Sequence, residues 1–534
     1  MCYFSRPDRQ VLAPPGLLFS ARVVCMIVKS LKLVVRHLAR TLAYGITGGL
    51  VVLVIMGVSV LNKKPDLKVW HTTILDEEYR SDSGIETLDQ YLALEDRLFA
   101  QLEQQVYGRI EPGDAREINR YFSGSLTDPA QAATNWNRTF EWPQKQPKAG
   151  IVLLHGMSDS PYSLRSVAQG LHERGAWVVG LRIPGHGQAP SGLVNVKWQD
   201  MAGAVRIAVR HVHERVNGQP VYIVGYSNGG ALAVHYALDS LDDQGLPVVS
   251  GLILLSPEIG LSKLAALAQT QERLGLLLGL QKLAWTDVLP EYDPWKYNSF
   301  ATNAARQAYL ITQEIQKQLS ALTGSGKLAG MPPILAFQSA VDATVTAPAL
   351  VSHLFQRLPA PGLSDERGWN ELVLFDLNRY AAIEALLNED PLTWMQPMLD
   401  NPGLTFLLTL ITNRGDAEVE LAAVVRVPGS GEQQVCDIGL QWPPATYSLS
   451  HVALPFPPDD PYYGGEASAK HPVMRLGQLA WRGERDVLQV SAAAMLRLRW
   501  NPFHAYLMER IDAFTGLGVG PAQSCATIEL PAGQ

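Results

Sequence analysis

Across 534 residues the chain is 47% hydrophobic and 18% charged, with 44 Lys and Arg against 51 Asp and Glu for a net charge of −7. That composition suits a globular protein with a large core. With no dense cationic run in the globular part, it excludes a nucleic-acid partner recognised through a basic surface.

The first residues fit neither a targeting segment nor a domain, because Pro7, Pro14, Pro15 and Gly16 break any pattern. Met26 is a candidate for the true start. Within the N-terminal segment 1–41, Lys29, Lys32, Arg36 and Arg40 precede a run, Leu42–Leu61, that has no charge and is rich in Val, Leu and Ile. Such a run is long enough to cross a bilayer as one helix and predicts a transmembrane anchor. Lys63, Lys64 and Lys68 follow it, so a thin positive-inside bias orients the N-terminus inward and the remainder outward, on the exported side. No Ala-x-Ala site ends the run, which favours a retained anchor over a cleaved signal peptide. Starting at Met26 would leave Cys436 and Cys525 alone, as a disulfide or as two buried thiols. No Cys/His cluster has metal-ligand spacing, and no cofactor is implied. Asn137-Arg-Thr139 is a glycosylation sequon whose meaning depends on a eukaryotic secretory setting.

In the region 62–148, Ile85, Leu88, Leu92, Phe99, Leu102 and Val106 recur at helical spacing between polar residues, predicting a juxtamembrane helix packed on the main domain as a structural prop. From residue 149 to 534 short apolar runs alternate with amphipathic stretches, the grammar of a mainly parallel sheet flanked by helices. The predicted strands are Gly150–Leu154, Ala176–Leu181, Val221–Gly225, Gly251–Leu255, Pro333–Phe337 and Glu371–Phe375. The predicted helices are Tyr162–Arg174, Trp198–Val216 and Gly229–Ser240. Two insertions interrupt them. The first, 258–327, is helical and apolar at Leu264–Leu267 and Leu274–Leu283, then aromatic at Trp285, Tyr292, Trp295 and Tyr297, and reads as a cap with an apolar wall. The second, 378–450, has strand-like runs at Leu404–Ile411 and Val419–Val427 and no assignable role.

The chemistry centres on Val221-Tyr-Ile-Val-Gly-Tyr-Ser-Asn-Gly-Gly230. Gly225 and Gly229 flank Ser227 in a G-x-S-x-G pattern, where missing side chains allow a sharp strand-to-helix turn that thrusts the hydroxyl out. A serine hydroxyl needs a base to take its proton and a third group to orient that base. Asp342, just past a strand, is the candidate acid, with Glu258 in reserve. The chain order Ser, Asp, His places the base after residue 342 and leaves His353, His451, His471 and His504. His451 is preferred, because it opens a Pro- and Asp-rich loop, whereas His353 and His504 fall in helices. His155-Gly-Met-Ser-Asp-Ser-Pro161 follows the first strand of the sheet, where a second oxyanion donor belongs. The N–H groups of Met157 and Asn228 would form the hole, with His155 shaping the loop.

Together the His155-Gly156 strand end, Arg182-Ile-Pro-Gly-His-Gly187, Gly225-Tyr-Ser-Asn-Gly229 with Gly230, and Asp342 with Val345 resemble the α/β-hydrolase superfamily. Within it they resemble the monoglyceride lipase, lysophospholipase and serine aminopeptidase-like group. The resemblance covers about 149–258 and 331–376. It implies a Ser227–His451–Asp342 hydrolase of lipid-like or other carboxylic esters that needs no cofactor. An aminopeptidase of the same fold and an inactive binding protein are the competing readings. In that group the histidine usually follows the last strand closely, so reaching His451 requires 378–450 to loop out. The Gly185-His186-Gly187 turn is structural by this resemblance.

Overall fold

The computed structural model describes residues 15–111, 118–260, 281–360, 368–415, 417–428, 433–465, 475–478 and 491–518. The chain divides into two compact units, Met1–Pro65 and Asp66–Gln534. In the first, α1 (Pro15–Lys63) is a single helix of 49 residues. It runs unbroken through Lys29, Lys32, Arg36, His37 and Arg40, so Leu42–Leu61 is part of a longer element and not a bounded span. Among the described residues no helix is long and apolar enough to cross a membrane, and the predicted anchor is not supported. Several side chains within Leu42–Leu61 lie outside the described residues.

In the second unit, α2 (Leu88–Gln105) begins at a Thr87/Gln90 capping box and buries Leu88, Tyr91, Leu94, Leu98 and Leu102. Its period is the one the leucines predict. The main sheet then takes in β1 (Phe140–Trp142), β2 (Ala149–Leu154), β3 (Ala176–Leu181), β4 (Val221–Tyr226) and β5 (Gly251–Leu255). It continues with β6 (Ile334–Ser339), β7 (Glu371–Phe375), β8 (Leu407–Asn413), β9 (Glu420–Arg426) and β10 (Gln433–Gln441). The spatial order is β1-β3-β2-β4-β5-β6-β7-β8-β9-β10. Pairing is parallel from β3 to β8 and antiparallel at both edges. Strands β2 and β4 to β7 are buried along their whole length, as expected for a parallel sheet covered on both faces.

Helices α3 (Arg165–Glu173) and α4 (Trp198–Arg215) precede β4; α5 (Asn228–Ser240), α6 (Thr302–Ser325) and, at the end, α7 (His504–Thr515) follow it. Side chains of α4, α5 and α6 share one core with Val152, Ile223 and Leu254. Those of α3 and α7 share the other with Ile151, Val224 and Ile253. Alternate residues of each strand therefore feed opposite cores.

The insertion at 378–450 does not loop out. Its strands join the main sheet: β8 lies parallel to β7, with Leu407 opposite Glu371, and β9 and β10 complete an antiparallel meander. Of the cap, residues 261–280 lie outside the described ones, and with them most of its apolar run. Trp285 packs into the core of α4 to α6, whereas Tyr292 and Trp295 join Tyr162, Phe456 and Tyr463 in an aromatic cluster. Cys436 is disulfide-bonded, so its thiol reading is set aside, and Cys525 lies outside the described residues. Asn137 is buried, with its amide between Arg120 and Pro294, so the sequon presents no accessible acceptor.

Candidate active site

Ser227 sits between β4 and α5 with φ 53° and ψ −117°, a left-handed and strained geometry for a residue with a side chain. The turn closes because Gly229 has no Cβ: one placed there would lie 2.0 Å from Leu154 O. The Ser227 carbonyl accepts N–H groups of Gly230 at 2.9 Å and Glu258 at 2.9 Å, and its own N–H reaches Leu255 O at 2.9 Å. The bend is thus tied to the end of β5.

Asp342 stands three residues past β6. Its Oδ1 accepts the N–H groups of Thr344 and Val345 at 2.8 and 3.0 Å, and its Oδ2 accepts Gln338 Nε2–H at 2.9 Å. Burial works to raise its pKa, but the adjacent His451 and these donors outweigh it and hold the carboxyl below its ordinary value. It stays ionised near neutrality.

The structure brings His451 to both partners. Nδ1 lies 2.7 Å from Asp342 Oδ2, and Nε2 lies 3.1 Å from Ser227 Oγ. Because the carboxylate can only accept, Nδ1 carries the proton and the Nε2 lone pair faces the hydroxyl. The loop that delivers the ring is pinned on both sides. Before it, Asn378 donates from N to Tyr447 O at 2.9 Å and from Nδ2 to Thr446 O at 2.8 Å. After it, Asn501 donates from Nδ2 to Leu454 O at 3.1 Å and from N to Phe456 O at 2.7 Å. Gln338, Asn378 and Asn501 were not legible as site residues. Only Asn501, ahead of Pro502, carries a turn signal.

The other histidines stand elsewhere. His353 bonds within its own helix, to Ser352 and Ala349. His504 opens α7, where burial pushes its pKa down to about 4. His471 lies outside the described residues. Glu258, the reserve acid, shares no hydrogen bond with His451 among the described residues; its Oε2 has no hydrogen-bond partner there, and burial pushes its pKa up to about 7.

Facing the serine is the loop after β2. His155 Nε2 accepts the Ile183 N–H at 3.0 Å, so the proton is on Nδ1, which donates to Gly156 O at 2.9 Å. Burial keeps this ring neutral, and it shapes the loop. A Cβ on Gly156 would lie 3.2 Å from Ser227 Cβ, which fixes how closely the loop approaches. Among the described residues neither the Met157 nor the Asn228 N–H has an acceptor. Two amides beside the hydroxyl are thus available to a developing negative charge, and α5 points its positive end the same way.

The model of the family described as serine aminopeptidase, S33, matches residues 145–364. The sheet and the matched segment have the α/β-hydrolase fold. Over that segment the chain is similar to the monoglyceride lipase-like group. The thermostable monoacylglycerol lipase of Bacillus sp. (strain H-257) is 24% identical over 117 residues, 22% of this chain and 44% of the lipase, so the chain spans less than half of that relative's length. Among solved structures, the monoacylglycerol lipase of Paleococcus ferrophilus is 16% identical with a TM-score of 0.32, covering 44% of this chain and 87% of that one. A soluble variant of the Saccharomyces cerevisiae monoglyceride lipase is 15% identical with a TM-score of 0.33, covering 44% and 81%.

Proposed function

We propose that the protein is a serine hydrolase of carboxylic esters with a lipid-like acyl group. Ser227 Oγ attacks the carbonyl carbon as its proton passes to His451 Nε2. Asp342 holds the imidazole in the reactive tautomer and stabilises the imidazolium, while the Met157 and Asn228 N–H groups receive the oxyanion. The C–O bond to the alcohol then breaks, and the leaving oxygen takes the proton from Nε2. Water, deprotonated by the same nitrogen, attacks the acyl-enzyme, and the acid leaves.

The observation that carries this reading is one imidazole spanning carboxylate and serine, at 2.7 and 3.1 Å. The similarity to a monoacylglycerol lipase supports an acyl ester over a peptide. A fluorophosphonate should label the wild type and not Ser227→Ala; an unlabelled wild type overturns the reading in favour of a binding protein. p-Nitrophenyl esters of graded chain length should be cleaved in preference to aminoacyl anilides, and the reverse order would make the protein a peptidase.

A further inference from the structure

The family match begins at residue 145, yet the turn at Arg182–Gln188 is held by a carboxylate from far upstream. Glu78 Oε1 accepts Arg182 Nη2–H at 3.0 Å, and its Oε2 accepts Arg182 Nη1–H at 3.0 Å, the Gly185 N–H at 2.7 Å and Gln188 Nε2–H at 2.6 Å. Arg182 is fully buried and also donates from Nε to Glu95 Oε2 at 3.1 Å and from Nη1 to His186 O at 3.0 Å. A bidentate, buried pair of this kind fixes orientation as well as distance.

Two struts run from that turn to the loop facing Ser227. The Ile183 N–H donates to His155 Nε2 at 3.0 Å, with the His155 and His186 rings edge to face at 5.0 Å. Tyr297 donates from Oη to Gly185 O at 3.3 Å and from its N–H to Ser158 O at 2.8 Å. Both neighbours of Met157, His155-Gly156 before it and Ser158 after it, are therefore set from the turn that Glu78 grips. We propose that Glu78 is a positioning residue for the oxyanion donor Met157, acting through four hydrogen bonds to the Arg182–Gln188 turn. The inference rests on the ester-hydrolase reading above. It ties the loop facing Ser227 to a single carboxylate upstream of the matched domain.

A carboxylic ester and its thionoester (C=S in place of C=O), of the same acid and phenol, provide the test. Sulfur is the weaker hydrogen-bond acceptor, so the rate ratio reports on the oxyanion donors and not on how much enzyme is folded. Glu78→Gln keeps the shape but turns an N–H toward the guanidinium. It should lower the oxoester kcat and shrink the oxo-to-thiono ratio by about tenfold with KM unchanged. Gln188→Ala, which removes one of the four bonds, should shift the ratio in the same direction if Glu78→Gln does not fold. Ser81→Ala, whose wild-type hydroxyl and N–H donate to Asp200 at 2.9 Å and not to the turn, should leave it alone. Equal loss on both esters, unchanged rates, or the same shift in Ser81→Ala overturns the proposal while leaving the hydrolase intact. A wild type that cleaves neither ester and takes no fluorophosphonate label removes the enzymatic reading itself.

Discussion

Replacing Asp342 by Asn changes one atom and tests the whole arrangement. Oδ2 faces two donors, His451 Nδ1–H at 2.7 Å and Gln338 Nε2–H at 2.9 Å, while Oδ1 receives two backbone N–H groups. An amide has one acceptor oxygen. If that oxygen stays on the backbone donors, the new NH2 meets His451, the proton must move to Nε2, and the ring offers Ser227 an N–H instead of a lone pair. The wrong tautomer costs about 10⁴-fold in kcat, or ~5.5 kcal/mol. If the amide flips to preserve the tautomer, its NH2 faces the Thr344 and Val345 amides and strands both, at about 1–3 kcal/mol each. The two routes bracket the loss at roughly 30-fold to 10⁴-fold, and the missing negative charge beside the imidazolium favours the upper end. Hydrolysis of p-nitrophenyl butyrate between pH 6 and 9, with a thermal melt to show folding, measures it. A folded variant that loses less than about tenfold would falsify the role of Asp342.

Other outcomes follow from the same geometry. Gly229→Ala would drive a Cβ to 2.0 Å from Leu154 O, backbone that cannot swing aside, so urea unfolding should show a loss of at least ~3 kcal/mol. A loss under 1 kcal/mol, on the order of a surface change, would mean that the elbow is looser than described. Glu258 has its folded pKa raised from 4.5 to about 7 by burial. Its contribution is therefore fully present below pH 4.5 and lost as pH rises through 7, and Glu258→Gln should gain up to ~3 kcal/mol over wild type at pH 8 but nothing at pH 4.5. Equal differences at the two pH values would refute it. His71 has its folded pKa lowered from 6.5 to about 3 by burial, while accepting at Nδ1 from Lys68 and meeting Ser299 at Nε2. Its contribution is present above pH 6.5 and lost as pH falls toward 3, so His71→Gln should flatten the acid limb of the stability curve by up to ~5 kcal/mol. An unchanged limb would count against a neutral buried ring.

Where neighbours in sequence determine structure, the reading was close. Ala176–Leu181, Gly251–Leu255 and Glu371–Phe375 match the observed strands, and Trp198–Val216 overshoots α4 by one residue. Ser227 and Asp342 could be picked out because glycines and a strand end mark them locally, and His451 because it follows the acid in chain order and opens a Pro- and Asp-rich loop. The meander could not. Leu404–Ile411 and Val419–Val427 read as strands, but their attachment to β7 is a pairing between distant segments, with no local trace of partner or register. Strand β10 does alternate Cys436, Ile438 and Leu440 with Asp437, Gly439 and Gln441, but the run is short and opens on two glutamines, and it is easily passed over. Glu78 escaped notice for a similar reason, since it sits in a polar stretch whose partners lie more than 100 positions away.

The meander also sets a schedule. Carboxylate and imidazole are 109 positions apart, and ribosomes extend a chain by about 5–20 residues per second, so the base emerges roughly 5–20 seconds after the acid. Until β8 to β10 have docked and the return segment has closed on Asn378, the serine has no proton acceptor. A nascent chain with its elbow already bent thus lacks its imidazole, and the three side chains meet only when the last third of the polypeptide is in place.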